Sequence, residues 1–295
     1  MLDKGNELDW FSSPQIVALG CVALVGFTLF LVWELFDNEH PIVDLSLFKS
    51  RNFTSGTLAI AVGYAVFFGI TVIIPLWLQT IMGYTAFLSG LTVAPIGILS
   101  LIIAPFLGRA LPHLDARKIA SAAFLVFALV MFMRARFDLQ TDFWSIMLPT
   151  FIQGGATVTF FLPLTALLLS GLPPERIPAA TGLSNFARFT AGAFGASVSV
   201  TLWNDRAALH RAHLVEHITD YNAHAQAALA AAHARGMSGE QALGLVDRLV
   251  NQQARMLGTV DLFWFSGVLF LVLTALVWLA KPSHAPHAPA DAGAH

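Results

Sequence analysis

Residues 149–203 read PTFIQGGATVTFFLPLTALLLSGLPPERIPAATGLSNFARFTAGAFGASVSVTLW, and this stretch decides the fold. Two apolar runs meet at one polar turn, Pro173-Pro174-Glu175-Arg176. A bilayer crossing needs about 20 apolar residues, and each run is long enough. The second run carries Arg188, roughly ten residues from either end. A charge at that depth costs at least several kcal/mol, so it belongs inside a bundle or against a wet cavity. Small residues surround it: Gly182, Ala191, Gly192, Gly195 and Ala196. Such spacing lets helices approach closely in lipid. The hairpin therefore reads as the packed heart of a polytopic membrane protein.

Composition agrees. Of 295 residues, 56% are hydrophobic and 12% charged, where soluble domains carry about 25% charged residues. Mean hydropathy is +0.69. The formal net charge of −2 is spread over loops, and no basic patch suits nucleic acid. The single cysteine, Cys21, excludes an intrachain disulfide. Met1 is followed at once by the polar residues Asp3 to Glu7, which does not fit a signal peptide.

Outward from the hairpin, the same reading gives seven transmembrane helices in an all-α protein. They are expected at about 16–35, 53–80, 86–107, 117–133, 143–169, 178–203 and 261–280. No residue from Asn52 to Gly108 is charged, and Gly83-Tyr84-Thr85 splits that stretch in two. Pro75, Pro95 and Pro105 mark kinks of the kind that neighbouring helices tolerate in lipid. Residues 205–257 are polar and expected to be helical outside the lipid. Asn222 is placed to cap an alanine run that stops at Gly236, and Ser238-Gly239-Glu240-Gln241 resembles a capping box. That box starts a segment with Leu243, Val246 and Val250 on one face. The tail 282–295, rich in Pro, Ala and His, is expected to be disordered.

Short loops on one side hold Lys49, Arg51, Arg109, Arg117, Lys118, Arg176 and Lys281; the other side holds Lys4, Arg134 and Arg136. The richer side is expected to be cytoplasmic. The N-terminus and 205–257 then lie outside, and the C-terminus inside.

Depth arithmetic at 1.5 Å per residue puts Arg188, Gln153 and Tyr64 each about 15 Å into its span. Asn185 is one turn from Arg188 on the same face. Tyr64, Gln153, Asn185 and Arg188 are thus candidates for a midplane cavity, the depth at which transporters bind substrate. The plainer reading is that Gln153 and Asn185 bond neighbouring helices and Tyr64 packs. Phe67, Phe68, Phe160 and Phe161 either line an apolar pocket or face lipid and helix neighbours. Apart from Glu34, at an interface, no carboxylate lies deep within an expected span, so no convincing proton carrier stands out. His210, His213 and His217 share a helix face, yet no further ligand joins them for a metal, and a solvated face accounts for them as well. No Ser/His/Asp or Cys/His set lies in the spans and no phosphate loop is present, so neither an enzyme nor a nucleotide-driven pump is indicated.

The segments LDKGNELDWFSS, PIVDLSLFKSRNF, FIQGG and LSGLPPERIPAATGLSNFARF resemble the EmrB-type drug:proton antiporters, in the fourteen-helix group of the major facilitator superfamily. The resemblance runs over nearly all of residues 1–281. It implies that residues 1–52 hold the end of an extra central helix pair and a cytoplasmic linker. Residues 53–281 would then form the C-terminal six-helix bundle of an inner-membrane exporter. The turn Gly108-Arg109 … Asp115-Ala116-Arg117-Lys118 is similar to the superfamily's cytoplasmic loop motif, although the second glycine usual before its closing basic residues is absent. Asn185 and Arg188 match the Asn-x-x-Arg pattern of this span. What the resemblance implies about partners is a lipid bilayer, hydrophobic drug-like substrates, a periplasmic adaptor and an outer-membrane channel. The energy source would be the proton gradient, with no cofactor. The six N-terminal helices of the family, with their proton-coupling residues, do not match any part of this sequence, so the chain is expected not to transport without that N-terminal half. Two other classes fit less well. A seven-helix receptor or light-driven protein matches the span count, but no lysine lies deep within a span here to form a retinal Schiff base. A non-transporting scaffold or half-transporter subunit would not call for polarity at the midplane.

Overall fold

The computed structural model describes residues 13–36, 44–216, 218 and 222–281. The expected disordered tail, His217 and the whole segment before residue 13, Lys4 included, lie outside the described residues. Nine α-helices occur among those described: α1 Pro14–Phe36, α2 Arg51–Thr80, α3 Ala86–Val93, α4 Pro95–Ala110, α5 Ala116–Arg134, α6 Phe143–Leu169, α7 Ile177–Glu216, α8 Ala223–Ala234 and α9 Gly239–Val277. The described residues hold no strand.

Local chemistry sets the breaks. α2 ends before Gly83, whose φ of 72° suits glycine, and Thr85 caps α3 through its side chain. The span that follows is interrupted at Pro95, which has no N–H to donate, so α3 and α4 share one apolar segment. Asp115 caps α5 and Asp142 caps α6. Ser238 and Gln241 form the capping box expected from the sequence.

Five stretches are long and apolar enough to cross a membrane: Arg51–Thr80, Ala86–Ala110, Ala116–Arg134, Phe143–Leu169 and Gly239–Val277. They coincide with five of the seven expected spans. The other two are helical as well. α1 contributes a shorter apolar stretch, Pro14–Leu29. α7 is long, but its Ser, Thr, Asn and Arg residues dilute its apolar character. Two expected boundaries dissolve. α7 does not stop near Trp203 but continues unbroken to Glu216, and the helix expected from the Ser238 box runs without a break into the span expected from Asp261. Segment 205–257 is therefore the projecting ends of two long helices joined through α8. Leu243, expected to share a face with Val246, is 60% exposed, whereas Ala242 and Val246 are buried.

The helices alternate in direction, and contacts gather their ends into two layers. At the basic end, Arg51 donates to the Leu279 carbonyl, Asn52 to Ser170 Oγ, and the Lys281 N–H to Asn52 Oδ1. At the far end, Trp77 Nε1 reaches Met256 Sδ at 3.2 Å and Gln252 Nε2 reaches the Ile81 carbonyl at 2.9 Å. Between them lies an aromatic core in which Phe127 stacks on Phe270 and meets Phe160 edge-on. α7 packs on α2 and α9, α5 on α6 and α9, and α4 on α6. Most described side chains of α1 are exposed, with Ile16 buried. Pairs of large apolar side chains face outward along α4 and α7, among them Leu101, Phe106, Phe186 and Val198. An outward apolar surface is stable only against lipid or another apolar partner.

Candidate functional site

α7 holds Arg188 against α2 and α6. The approach is close because Gly192 receives the Tyr64 ring and Gly195 faces the Ala65 backbone. Gly182, counted with them in the sequence, faces open space instead. In this setting the Arg188 guanidinium carbon lies 5.5 Å from the ring centre of Tyr64, 5.5 Å from Phe161 and 4.7 Å from Phe189. Its Nε is buried without a hydrogen-bond partner, and no carboxylate pairs with it among the described residues. Cation–π attraction thus takes the place of an ion pair. Tyr64 also stacks on Phe68 at 5.7 Å and lies 6.1 Å from Phe67. Beside Arg188 is a cavity of about 20 Å³ lined by Thr165, Thr181, Ser184 and Asn185 with Ile60 and Leu168. A space of that size holds about one water.

Four of the five expected cavity residues therefore come together: Tyr64, Phe67, Asn185 and Arg188. Gln153 does not join them. The α6 residue at the level of Arg188 is Phe161, eight residues and about 12 Å of helix rise beyond Gln153. Gln153 is buried, its Oε1 unpartnered. One turn before it, Thr150 Oγ1 accepts from Arg134 Nη2 at 3.0 Å. Arg134 is fully buried and its Nη1 has no partner. Of the four phenylalanines, Phe160 turns into the core against Phe124 and Phe127. Phe189 was missed in the sequence. Its neighbour Arg188 was the available signal, but adjacent residues on a helix do not ordinarily face each other.

The loop motif forms a second cluster at the basic end. Asp115 accepts from the Arg117 N–H at 3.0 Å and pairs with Arg117 Nη2 at 2.8 Å. That hydrogen bond from Arg117 is the main reason the Asp115 carboxyl sits below the ordinary aspartate value of 3.8. Arg117 also donates to the Ala280 carbonyl at 3.3 Å and lies over the Trp278 ring at 5.2 Å. Lys118 shares a surface groove with both. Gly108 and Arg109, in the last turn of α4, are exposed. Nearby, Arg176 pairs with Asp44 and Ser46, tying the turn before α7 to the segment before α2.

A third cluster was invisible in the sequence. Asp261 Oδ2 meets Arg206 Nε at 2.6 Å and His210 Nε2 at 2.7 Å. The signal was the four-residue spacing of Arg206 and His210 on one helix face, but their partner lies half a hundred residues away. The described residues hold no group of three or more side chains suited to a metal ion.

A family model described as Major Facilitator Superfamily matches residues 8–196. The chain belongs to the major facilitator superfamily. Its similarity to curated relatives is extensive. It is 46% identical over 283 residues to "Multidrug export protein EmrB" of Escherichia coli (strain K12), covering 96% of this chain and 55% of that protein. It is 44% identical over 282 residues to "Fatty acid resistance protein FarB" of Neisseria gonorrhoeae, again 96% of this chain and 55% of the relative. "Probable multidrug resistance protein EmrY" of Escherichia coli (strain K12) is 39% identical over 285 residues, with the same coverage. The chain thus spans about half the length of the curated relatives it matches. With its apolar helices, this membership makes it a multi-pass membrane protein of the bacterial inner membrane.

Proposed function

We propose that this chain is the C-terminal portion of a proton-driven exporter of hydrophobic toxic compounds. It works together with the N-terminal helices that make up the rest of its relatives' length. The observation that carries the proposal is Arg188, a cation set among three aromatic rings with no carboxylate among the described residues to neutralise it. Such a group, on a small-residue helix face, suits a hydrophobic compound with a negatively charged or acceptor end. Tyr64 and Phe67 would grip the apolar part, and Asn185 and Arg188 the polar part. Gln153 would act from a separate level, nearer the far end. Names of the relatives support the same reading, since they are export and resistance proteins.

The basic end is proposed to face the cytoplasm, following the excess of Lys and Arg in its short loops. The projecting ends of α7 and α9 and the N-terminus would then be extracytoplasmic, where a periplasmic adaptor and an outer-membrane channel would meet them. The Asp115–Arg117 cluster, with Gly108, Arg109 and Lys118, would serve as a cytoplasmic latch. The proton gradient is the proposed energy source.

The test is export of a lipophilic acid from cells lacking their own exporters. They would express this chain with the N-terminal helices of a close relative. Arg188→Ala should abolish protection, and Arg188→Lys, which keeps charge without the planar face, should restore part of it. Unchanged export by Arg188→Ala would remove the site, and absence of export by the parent itself would favour the scaffold reading.

A further inference from the structure

We infer that His210 is a proton-binding site at the far end of the bundle, with Asp261 holding the added proton's charge and Arg206 positioning Asp261. The ring Nε2 of His210 and the Nε of Arg206 converge on the same carboxylate oxygen, at 2.7 and 2.6 Å. His210 and Asp261 remain about one-quarter exposed, so water reaches them. In the neutral state the Nε2–H donates to Asp261 and Nδ1 is free of a proton. Uptake of one proton from water places it on Nδ1, and the imidazolium–carboxylate pair is formed without moving a heavy atom. The cluster of Arg206, Asp261 and His210 passes from net zero to +1. Histidine is the side chain whose ordinary titration falls between roughly pH 5 and 8.

Other titratable or charged groups stand on most of the helices packed around them. α2 contributes one charged residue, Arg51, at the opposite end, where it bonds Leu279. α6 contains none. α5 contributes Arg117 and Lys118 at the basic end, and Arg134, which bonds Thr150. On α8, His233 is turned to its own Met237 carbonyl. On α9, Asp247 is paired with Arg211 and Asn251, and Arg255 lies over Trp203; Glu240 and Arg248 lie in its earlier turns. On α7 itself, Asp205, His213 and Glu216 flank the pair along the helix. Asp261 is also where α7 and α9 are joined by charge. The adjacent turns are joined by Trp203 to Thr259 at 2.8 Å. Proton uptake at His210 therefore changes the electrostatics of the α7–α9 seam while that seam keeps its packing.

The experiment is a pH titration of the full chain in nanodiscs, with ¹⁵N-histidine NMR and the His210 signal assigned by its loss in H210Q. Two substitutions must act with opposite sign. D261N removes the anion and should lower the proton affinity of His210 about tenfold. R206Q removes the competing cation and should raise it. A His210 signal that shows no proton uptake between about pH 5 and 8, shifts in the same direction, or no shift in either variant would each overturn the inference. Should D261N fail to fold, R206Q alone decides: a raised affinity supports the site, and an unchanged or lowered one removes it. The readout is proton binding rather than export, so it stands or falls separately from the transport proposal.

Discussion

Gly195 of α7 packs so tightly on Ala65 of α2 that a Cβ at residue 195 would overlap the Ala65 carbonyl oxygen. The overlapped atom is backbone, so no side-chain rotation relieves it. Gly195→Leu should force the two helices apart and destabilise the protein by about 3 kcal/mol or more, the upper end of overpacking costs. Gly182→Leu, on the same helix but facing open space, should be tolerated. Thermal unfolding of both variants in detergent measures the contrast, and equal loss in both would contradict the packing.

That close approach is what brings Tyr64 under Arg188. Tyr64→Ala should weaken binding of a lipophilic acid by about two- to thirtyfold, the range expected for one partly desolvated cation–π contact of about 0.5–2 kcal/mol. Tyr64→Phe keeps the ring and should bind nearly as the parent does. Ligand-induced tryptophan quenching in nanodiscs provides the comparison.

Asp115 makes the start of α5 sensitive to acid. Its carboxyl is held below 3.8, chiefly by the Arg117 hydrogen bond. A lowered value in the folded state means that this stabilisation is complete above the ordinary aspartate value and is lost as pH falls through the lowered one. The Tm difference between wild type and D115N should therefore be constant from neutral pH down to about pH 5 and shrink below 3.8. D115A should cost about 1 kcal/mol at neutral pH through the lost cap. A Tm difference that grows on acidification would contradict the assigned cause.

Thr150 is the hydrogen-bond partner that Arg134 has in the buried far end. Thr150→Val leaves that guanidinium with no protein acceptor, which should destabilise by about 1–3 kcal/mol. Thr150→Ser retains the hydroxyl and should stay within about 0.5 kcal/mol of wild type. Denaturant or thermal unfolding in detergent separates the two.

Much of the fold could be read directly from the chain. Uncharged stretches, glycine and proline breaks and the Ser238–Gln241 box each act within a few residues, so their positions agree with α2 to α6 and with the start of α9. Helix ends were harder to read. α7 runs on past Trp203 because helical propensity in its Ala, Leu and Arg residues persists where apolar character fades. The cavity residues were half legible. Depth along a span gave Tyr64 and Arg188 a common level, whereas Gln153, at a similar nominal depth, fell about two turns away. Counting residues from a loop ignores where each helix begins and how it is shifted against its neighbours.

The sequence by itself determined that this is an all-helical membrane protein with an arginine inside an apolar segment. Those properties follow from composition and from interactions along one helix. Tertiary structure alone decided which rings surround Arg188, that Phe160 belongs to the core, and that Asp261 meets His210 and Arg206. Each of these depends on the distance between helices remote in sequence, set by glycine contacts such as Gly195 on Ala65 that no local pattern encodes.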